Sequence, residues 1–325
     1  MRLLRGALGT PARVTVFSRD EAKQYDMRVA YLKRQYATDD VIYLNSRQAL
    51  RFHIGDIRDF DALRRVVREH QVIIHAAALK QVPTCEYMPF EAVQTNVIGA
   101  NNLVRAVTGD RSAVEIVVGV STDKACNPFN VMGMTKALME RILTEANLRS
   151  ETRFVCVRYG NVLGTRGSVL PLFTEQIAAG GPVTITMPEM TRFLLTLDGA
   201  IDTILTALRH AMPGEVCVAK APSARMVDVV NALIGDRDIP VRFTGLRPGE
   251  KIHEVLVARE ECYRTVERAG HYMIRPMLPE LAFKTADPAP LLGEFSSETV
   301  TLEGAGLKEL LRASMQPSEV ERAFA

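Results

Sequence analysis

The feature that most constrains the fold is the alternation of short apolar runs with stretches of helical period in the first half of the chain. Residues 13–17, 51–54, 72–75, 115–120 and 153–158 read as strands. Helical stretches separate them at 20–35, 59–69, 89–108 and 132–147, and in the last of these Leu138, Met139, Ile142, Leu143 and Ala146 recur at helical spacing. A strand-helix-strand rhythm of this kind builds a parallel sheet with crossover helices. The expectation is an α/β fold, a doubly wound parallel sheet, in which ligands gather at the carboxyl ends of the strands.

Past Tyr159 the rhythm loosens. Glycine and proline become frequent, strands shorten, and helices are expected at 197–210 and 227–233. This predicts a dinucleotide-binding domain over 1–163, joined by 191–212, and a smaller substrate lobe over 164–190 and 213–275. A C-terminal extension over 276–325 ends in a short helix near 307–312. The 325 residues are 47% hydrophobic and 24% charged, the composition of a globular protein, and the net charge of +2 argues against nucleic acid or an anionic membrane as main partner. No apolar run nears the ~18–20 residues of a membrane helix. The opening residues lack a basic-then-apolar leader, so a soluble cytoplasmic protein is expected. The five cysteines (Cys85, Cys126, Cys156, Cys217, Cys262) form no C-x-x-C pair, and the six histidines have no metal-ligand spacing. Reduced thiols and no metal are expected.

The front of the chain is anomalous. Doubly wound nucleotide-binding sheets open with an apolar strand and a glycine-rich turn that cradles pyrophosphate at a helix N-terminus. Here residues 1–8 resemble the tail of a helix with Gly9 as its cap, and no G-x-G-x-x-G element occurs in the first thirty residues. The opening strand lies centrally in such sheets, so its absence would leave two interior strands facing each other across a gap. The expectation is that roughly 20 residues, about one first strand-and-turn unit, precede Met1 in the working protein.

Several residues at strand ends could carry chemistry. Ser18-Arg19 follows the first strand, where a cation suits a ribose 2′-phosphate and hence NADP over NAD; an N-cap serine beside a solvated arginine is the alternative. Gly55-Asp56 could meet adenine or simply form a turn. Ala76-Ala77 allows close approach of a dinucleotide or merely packs, and Lys80 could reach a phosphate or stay solvated. Ser121-Thr122-Asp123-Lys124 ends the strand at 115–120, and a carboxylate beside an ammonium there forms an acid/base pair or an ordinary turn. Met132 and Lys136 share a helical face. Loops bearing Arg192 and Arg247 offer guanidinium forks suited to pyrophosphate. His75, inside an apolar strand, reads as a satisfied core residue.

Nine ordered motifs then give a resemblance: Phe17-Ser-Arg-Asp-Glu, Gly55-Asp-Ile-Arg-Asp, His75-Ala-Ala-Ala-Leu-Lys-Gln-Val-Pro, Thr95-Asn-Val-Ile-Gly-Ala, Ser121-Thr-Asp-Lys-Ala, Arg158-Tyr-Gly-Asn-Val, Arg166-Gly-Ser-Val-Leu-Pro, Met190-Thr-Arg-Phe and Arg247-Pro-Gly-Glu-Lys. From about Phe17 to Ile274 the chain resembles the inverting UDP-N-acetylglucosamine 4,6-dehydratases, extended short-chain dehydrogenase/reductases of capsule and flagellin-glycan sugar pathways. The resemblance implies an NADP-dependent redox dehydration of a UDP-N-acetylhexosamine, commonly by homo-oligomers. It implies that Asp123 protonates the leaving C6 hydroxyl, Lys124 removes the C5 proton and Lys136 holds the nicotinamide ribose, with Thr122 beside them. Implied cofactor contacts are Ser18, Arg19, Asp56, Ile57, Ala76, Ala77, Lys80, Asn96, Lys136 and Tyr159. Implied substrate contacts are Lys80, Asn161, Ser168, Arg192, Arg247 and Glu250. Asp123 must be protonated and Lys124 neutral when they act.

Two departures stand out. Many members carry tyrosine where Met132 stands, and a thioether transfers no proton, so the base for the C4 hydroxyl is unassigned among Asp123, Lys124 and water. The glycine-rich loop is the other. A UDP-sugar 4-epimerase shares the C4 oxidation without needing an acid/base pair at C5 and C6, and a non-catalytic relic is the reading from another class. Without the phosphate loop, NADP should bind weakly. In a thermal melt NADP⁺ should leave the midpoint nearly unmoved, and a rise of several degrees would contradict this.

Overall fold

A computed structural model describes residues 2–9, 11, 13–32, 49–109, 112–165, 169–282 and 290–315. After a 3-10 turn at Leu3–Arg5 the chain runs β1 (Val14–Ser18), α1 (Glu21–Leu32), β2 (Leu50–Ile54), α2 (Phe60–Val67) and β3 (Val72–His75). Next come α3 (Val82–Tyr87), α4 (Pro89–Ala92), a π-helical turn over Val93–Ile98, α5 (Gly99–Thr108), β4 (Ile116–Val120), α6 (Val131–Ala146) and β5 (Arg153–Arg158). The second half holds β6 (Asn161–Val162), α7 (Val169–Ala178), β7 (Val183–Ile185), β8 (Thr191–Leu195), α8 (Leu197–His210), β9 (Val216–Val218), β10 (Ser223–Arg225) and α9 (Met226–Ile234). It closes with β11 (Val241–Phe243), β12 (Val255–Val257), β13 (Thr265–Arg268), β14 (His271–Ile274), β15 (Phe295–Ser296) and α10 (Gly304–Ser314).

Alternation along the central strands explains a sheet covered on both faces. Val117 of β4 with Phe154 and Cys156 of β5 packs against Leu63, Leu103, Met139 and Leu143 from α2, α5 and α6. Ile116, Val118, Val155 and Val157 point the other way, onto Leu205 and Leu208 of α8. The sheet order is β13-β14-β9-β5-β4-β3, parallel from β3 to β9, with β14 and β13 added antiparallel. The expected doubly wound α/β architecture is therefore present. A second core joins α7, α9 and α10 around Phe173, Val183, Leu233 and Leu311. Small sheets β10-β8-β6, β7-β11 and β12-β15 surround the cleft it shares with the main sheet.

Some expectations are corrected. Gly6, at φ 85°, closes the opening 3-10 turn, in place of a helix tail capped by Gly9. The helix expected at 89–108 is interrupted by the π turn and preceded by α3, and the end of the helix expected at 20–35 lies outside the described residues. Strands β9, β13 and β14, placed by sequence in the substrate lobe, complete the main sheet: the β9 backbone pairs with β5, β14 with β9, and β13 with β14. The described parts of the extension are integrated into the fold: β15 pairs with β12, and Leu307 and Leu311 of α10 belong to the second core.

β1 and β2 pair in parallel as a sheet of their own. Between β1 and β3 lies a cavity of about 560 Å³, lined by Thr15, Phe17 and Ser18 on one side and Val72, Ile73, Ile74 and His75 on the other. Among the described residues, β3 pairs only with β4, so each of these two strands presents an open edge to the cavity. The exposure of apolar Val72 and Ile74 follows from it. Ile74 is the register partner of Val118, which is fully buried. Val118→Ala should cost roughly 2–3 kcal/mol and Ile74→Ala about 1 kcal/mol or less. Urea unfolding of the two variants checks the asymmetry, and equal losses would contradict an open β3 edge.

Candidate active site

The carboxyl end of β4 delivers the turn that carries the site. Ser121 N donates to Val157 O at 2.7 Å and Asp123 N to Tyr159 O at 3.2 Å, so the backbone follows β5 to its end. A 3-10 turn at Asp123–Ala125 is capped by the Thr122 hydroxyl, which accepts from Lys124 N and donates to Asp123 Oδ1 at 2.8 Å. Lys124 Nζ lies 3.1 Å from Asp123 Oδ1 and 2.9 Å from Glu254 Oε1. Both carboxylates are 1% exposed. Asp123 Oδ2 and Glu254 Oε2 are buried and accept no hydrogen bond among the described residues.

Two glycines permit this packing. A Cβ on Gly160 would meet Phe193 Cβ at 2.7 Å and Asp123 Oδ2 at 3.2 Å, and one on Gly133 would collide with the Lys124 carbonyl. The N-cap of α6 is Asn130, whose Oδ1 accepts from Gly133 N at 2.8 Å while its Nδ2 donates to Gly249 O at 2.8 Å. Lys251 Nζ donates to Cys126 O at 2.8 Å. These bonds bind the 247–251 loop to the turn. Beneath them Arg158 is buried, with Nη2 2.7 Å from Glu140 Oε2, Nη1 2.7 Å from Glu261 Oε2 and Nη1 donating to Leu256 O. Glu140 Oε1 also accepts from Ser121 Oγ at 2.5 Å.

Charges in this cleft are strongly perturbed. Burial opposes a charge on Lys124, but Asp123 and Glu254 outweigh it and its ammonium pKa is raised. The expected neutral amine is thus not the resting form. Burial, then the Asp123 charge, raises the Glu254 carboxyl against the pull of Lys124. Lys136, enclosed in α6 with Nζ 3.0 Å from Met139 Sδ, is lowered by burial to about 8. Burial pushes Tyr159 up to about 12. His75 is buried but not satisfied, because Nε2 has no partner among the described residues; burial and then the Lys136 charge lower it to about 3.

Most of the candidate residues fall into two adjoining cavities. Ser18, Arg19, Asp56, Ile57, Ala76 and Ala77 line the 560 Å³ cavity at the ends of β1 and β3. A cavity of about 970 Å³ gathers Thr122, Asp123, Lys124, Lys136 and Tyr159 with Lys80, Asn161, Arg192, Arg247 and Glu250. Ala76 and Ala78 line both. His75 and Thr95, whose Oγ1 is also a buried orphan, line the smaller cavity, whose walls therefore suit a polar ligand. Among the described residues no cluster of three or more His, Cys, Asp or Glu could hold a metal ion, and no helix is long and apolar enough to cross a membrane.

Several candidate residues also bond within the protein, and one lies off both cavities. Asn96 lines neither cavity: its amide accepts from Leu79 N and donates to Leu79 O and Thr135 Oγ1, so it pins the loop after β3. Arg192 spends three of its N–H groups on the carbonyls of Thr191, Lys251 and Ile252, which makes it a brace in the cavity wall. Ser18 Oγ accepts from Asp20 N, and Asp56 is held 2.8 Å from Arg58 and 3.5 Å from Arg19. Arg247 is half-exposed and 3.9 Å from Glu250. Ser168 lies outside the described residues. Sequence reasoning missed Glu254, whose only signal is a carboxylate directly before the apolar run of β12.

Lys136 generates a pH test. Its folded pKa of about 8 lies below the ordinary lysine value of 10.5, so the unfolded chain binds more protons between those limits and stability should rise with pH across them. Below pH 8 the buried ammonium costs roughly 3 kcal/mol. Lys136→Met should raise stability at pH 7 and abolish that part of the alkaline rise; urea unfolding at pH 7 and pH 10 checks it.

The family described as polysaccharide biosynthesis protein matches residues 3–276. An uncharacterized membrane protein of Methanocaldococcus jannaschii is 46% identical over 245 residues, covering 72% of this chain and 73% of its own. A UDP-glucose 4-epimerase of Rickettsia bellii is 41% identical over 266 residues, covering 80% and 73%. The structure of Pen from Bacillus thuringiensis superposes with a TM-score of 0.81 at 32% identity, over 94% of this chain and 91% of that one. A dTDP-glucose 4,6-dehydratase from Streptomyces venezuelae, with NAD bound, gives 0.65 at 20% identity, over 77% and 81%, a likeness of fold.

Proposed function

We propose, from the premise that this chain belongs to the polysaccharide biosynthesis protein family, that it is a nucleotide-sugar 4,6-dehydratase. The substrate is a UDP-N-acetylhexosamine, UDP-N-acetylglucosamine first, and the product is a C5-inverted 4-keto-6-deoxy sugar for glycan synthesis. The observation that carries this is the contact of Asp123 with Lys124 at the end of β4, on the wall of the 970 Å³ cavity. An acid and a base side by side are what elimination across C5 and C6 requires.

A nicotinamide cofactor in the adjoining cavity would supply the temporary oxidation at C4 and the closing reduction at C6, so nothing is oxidised overall. Ser18, Arg19, Asp56, Ile57, Ala76 and Ala77 would hold its adenine half, and Arg19 at the end of β1 favours NADP over NAD, the form bound in the Streptomyces protein. Lys136, Lys80 and Tyr159 would hold the nicotinamide side. Lys136, lowered to about 8, lies where its charge would favour ionisation of the C4 hydroxyl. Asp123 gives a proton to the departing C6 hydroxyl, and Lys124 takes the C5 proton. Asn161, Arg247 and Glu250 serve the UDP-sugar, with Arg192 shaping the wall. The protein works as a cytoplasmic homo-oligomer.

A 4-epimerase is the second reading, favoured by the name of the Rickettsia relative. It leaves the Asp123-Lys124 pair without a task. Purified protein incubated with UDP-N-acetylglucosamine and NADP⁺ or NAD⁺ should yield a product lighter by one water in mass spectrometry. Asp123→Asn and Lys124→Ala should each reduce that product at least 10²-fold. Conversion to UDP-N-acetylgalactosamine at unchanged mass would instead establish the epimerase.

A further inference from the structure

Among the described residues, Glu254 is the one carboxylate in direct contact with Lys124 that neither the motifs nor the proposed roles use. It is 1% exposed, and its Oε1 is 2.9 Å from Lys124 Nζ. Its backbone is fixed on both sides: Glu254 N donates to Ser297 Oγ at 2.9 Å and Ser297 N to Glu254 O at 2.8 Å. The side chain is therefore aimed at the turn by two bonds to the segment that follows β15. Its second oxygen, Oε2, is buried without a partner, as is Asp123 Oδ2, and both carboxylates line the same cavity. The charged groups acting on Glu254 are Asp123 and Lys124 from the turn and Arg192 from β8, while Ser297 adds only a hydroxyl. Two enclosed carboxylates thus share one nearby ammonium, and an enclosed carboxylate with an unsatisfied oxygen is a ready proton acceptor.

We propose that Glu254 is a positioning residue that receives the proton of Lys124, leaving a neutral amine facing the sugar. The inference rests on the dehydratase reading. One N–H bond of the ammonium breaks and one O–H bond on Glu254 forms; ammonium and carboxylate become amine and carboxylic acid, and no other reactant is needed. The freed lone pair then accepts the C5 proton. This removes the conflict between a Lys124 held charged at rest and the neutral amine that elimination needs.

The test compares the full chain with its Glu254→Gln and Glu254→Asp variants, with thermal melts confirming that each folds. With internal transfer, wild-type kcat should be flat around neutral pH. In Glu254→Gln, Lys124 must lose its proton to solvent, so kcat should fall roughly 10²-fold at pH 7 with KM little changed. It should then climb about tenfold per pH unit toward the pKa of the amine. Glu254→Asp should restore much of the activity and the flat profile. A uniform loss at every pH would mark a merely structural role, and a flat Gln profile would pass the proton to Asp123; either overturns the proposal. The Lys124 titration, followed by NMR of ¹³C-lysine protein and assigned with Lys124→Arg, needs no turnover and should move to lower pH in Glu254→Gln. An unmoved Lys124 titration overturns the proposal. If the wild type releases no water from UDP-N-acetylglucosamine while the titration moves, the dehydratase reading fails and the Glu254–Lys124 coupling stands.

Discussion

The buried guanidinium of Arg158 is the interaction on which the site geometry depends. It ends β5, where a strand interior would ordinarily continue with apolar residues, and it is enclosed between Glu140 of α6, Glu261 beyond β12 and the Leu256 carbonyl. A cation so placed is tolerable only because two carboxylates and a carbonyl satisfy it; removing one partner of such a pair costs about 3–5 kcal/mol. Glu140 also receives the Ser121 hydroxyl, so the start of the Asp123-Lys124 turn is fixed by the same cluster. Leu256 lies two residues beyond Glu254 in the chain, so the same cluster also holds the strand that carries Glu254. The positions of Asp123, Lys124 and Glu254 are thereby referred to one buried charge.

What could be read in the sequence is what local pattern encodes. The strand-helix rhythm places β3, β4, β5 and α6 because a period of 2 or 3.6 exists within one element. The bounds of α8 coincide with the expected 197–210 for the same reason, with Thr196 as its capping residue. Asp123 and Lys124 were legible because a polar pair directly after an apolar strand must emerge at the end of the sheet where ligands gather.

What stayed hidden depends on partners distant in the chain. Glu254 meets Lys124 across 130 residues of sequence, and no spacing rule links them. β9, β13 and β14 are only three or four residues long, and β13 (Thr-Val-Glu-Arg) is not even apolar, so they are too short to declare which sheet they join. The resemblance implies ligand contacts at Asn96 and Arg192, but much of their hydrogen-bonding capacity goes to neighbouring main chain, which only the folded structure displays. The π turn over Val93–Ile98 carries no signature beyond that of an ordinary helix.

The facing rims of β1 and β3 have a colloidal consequence. Among the described residues each presents a row of amide and carbonyl groups without a ladder partner, next to Val72 and Ile74, and together they form a template that an extended apolar stretch of polypeptide can complete. Such a template does not discriminate between a fitting neighbour and a denatured one. In concentrated solution, an unfilled seam of this kind is where self-association would begin.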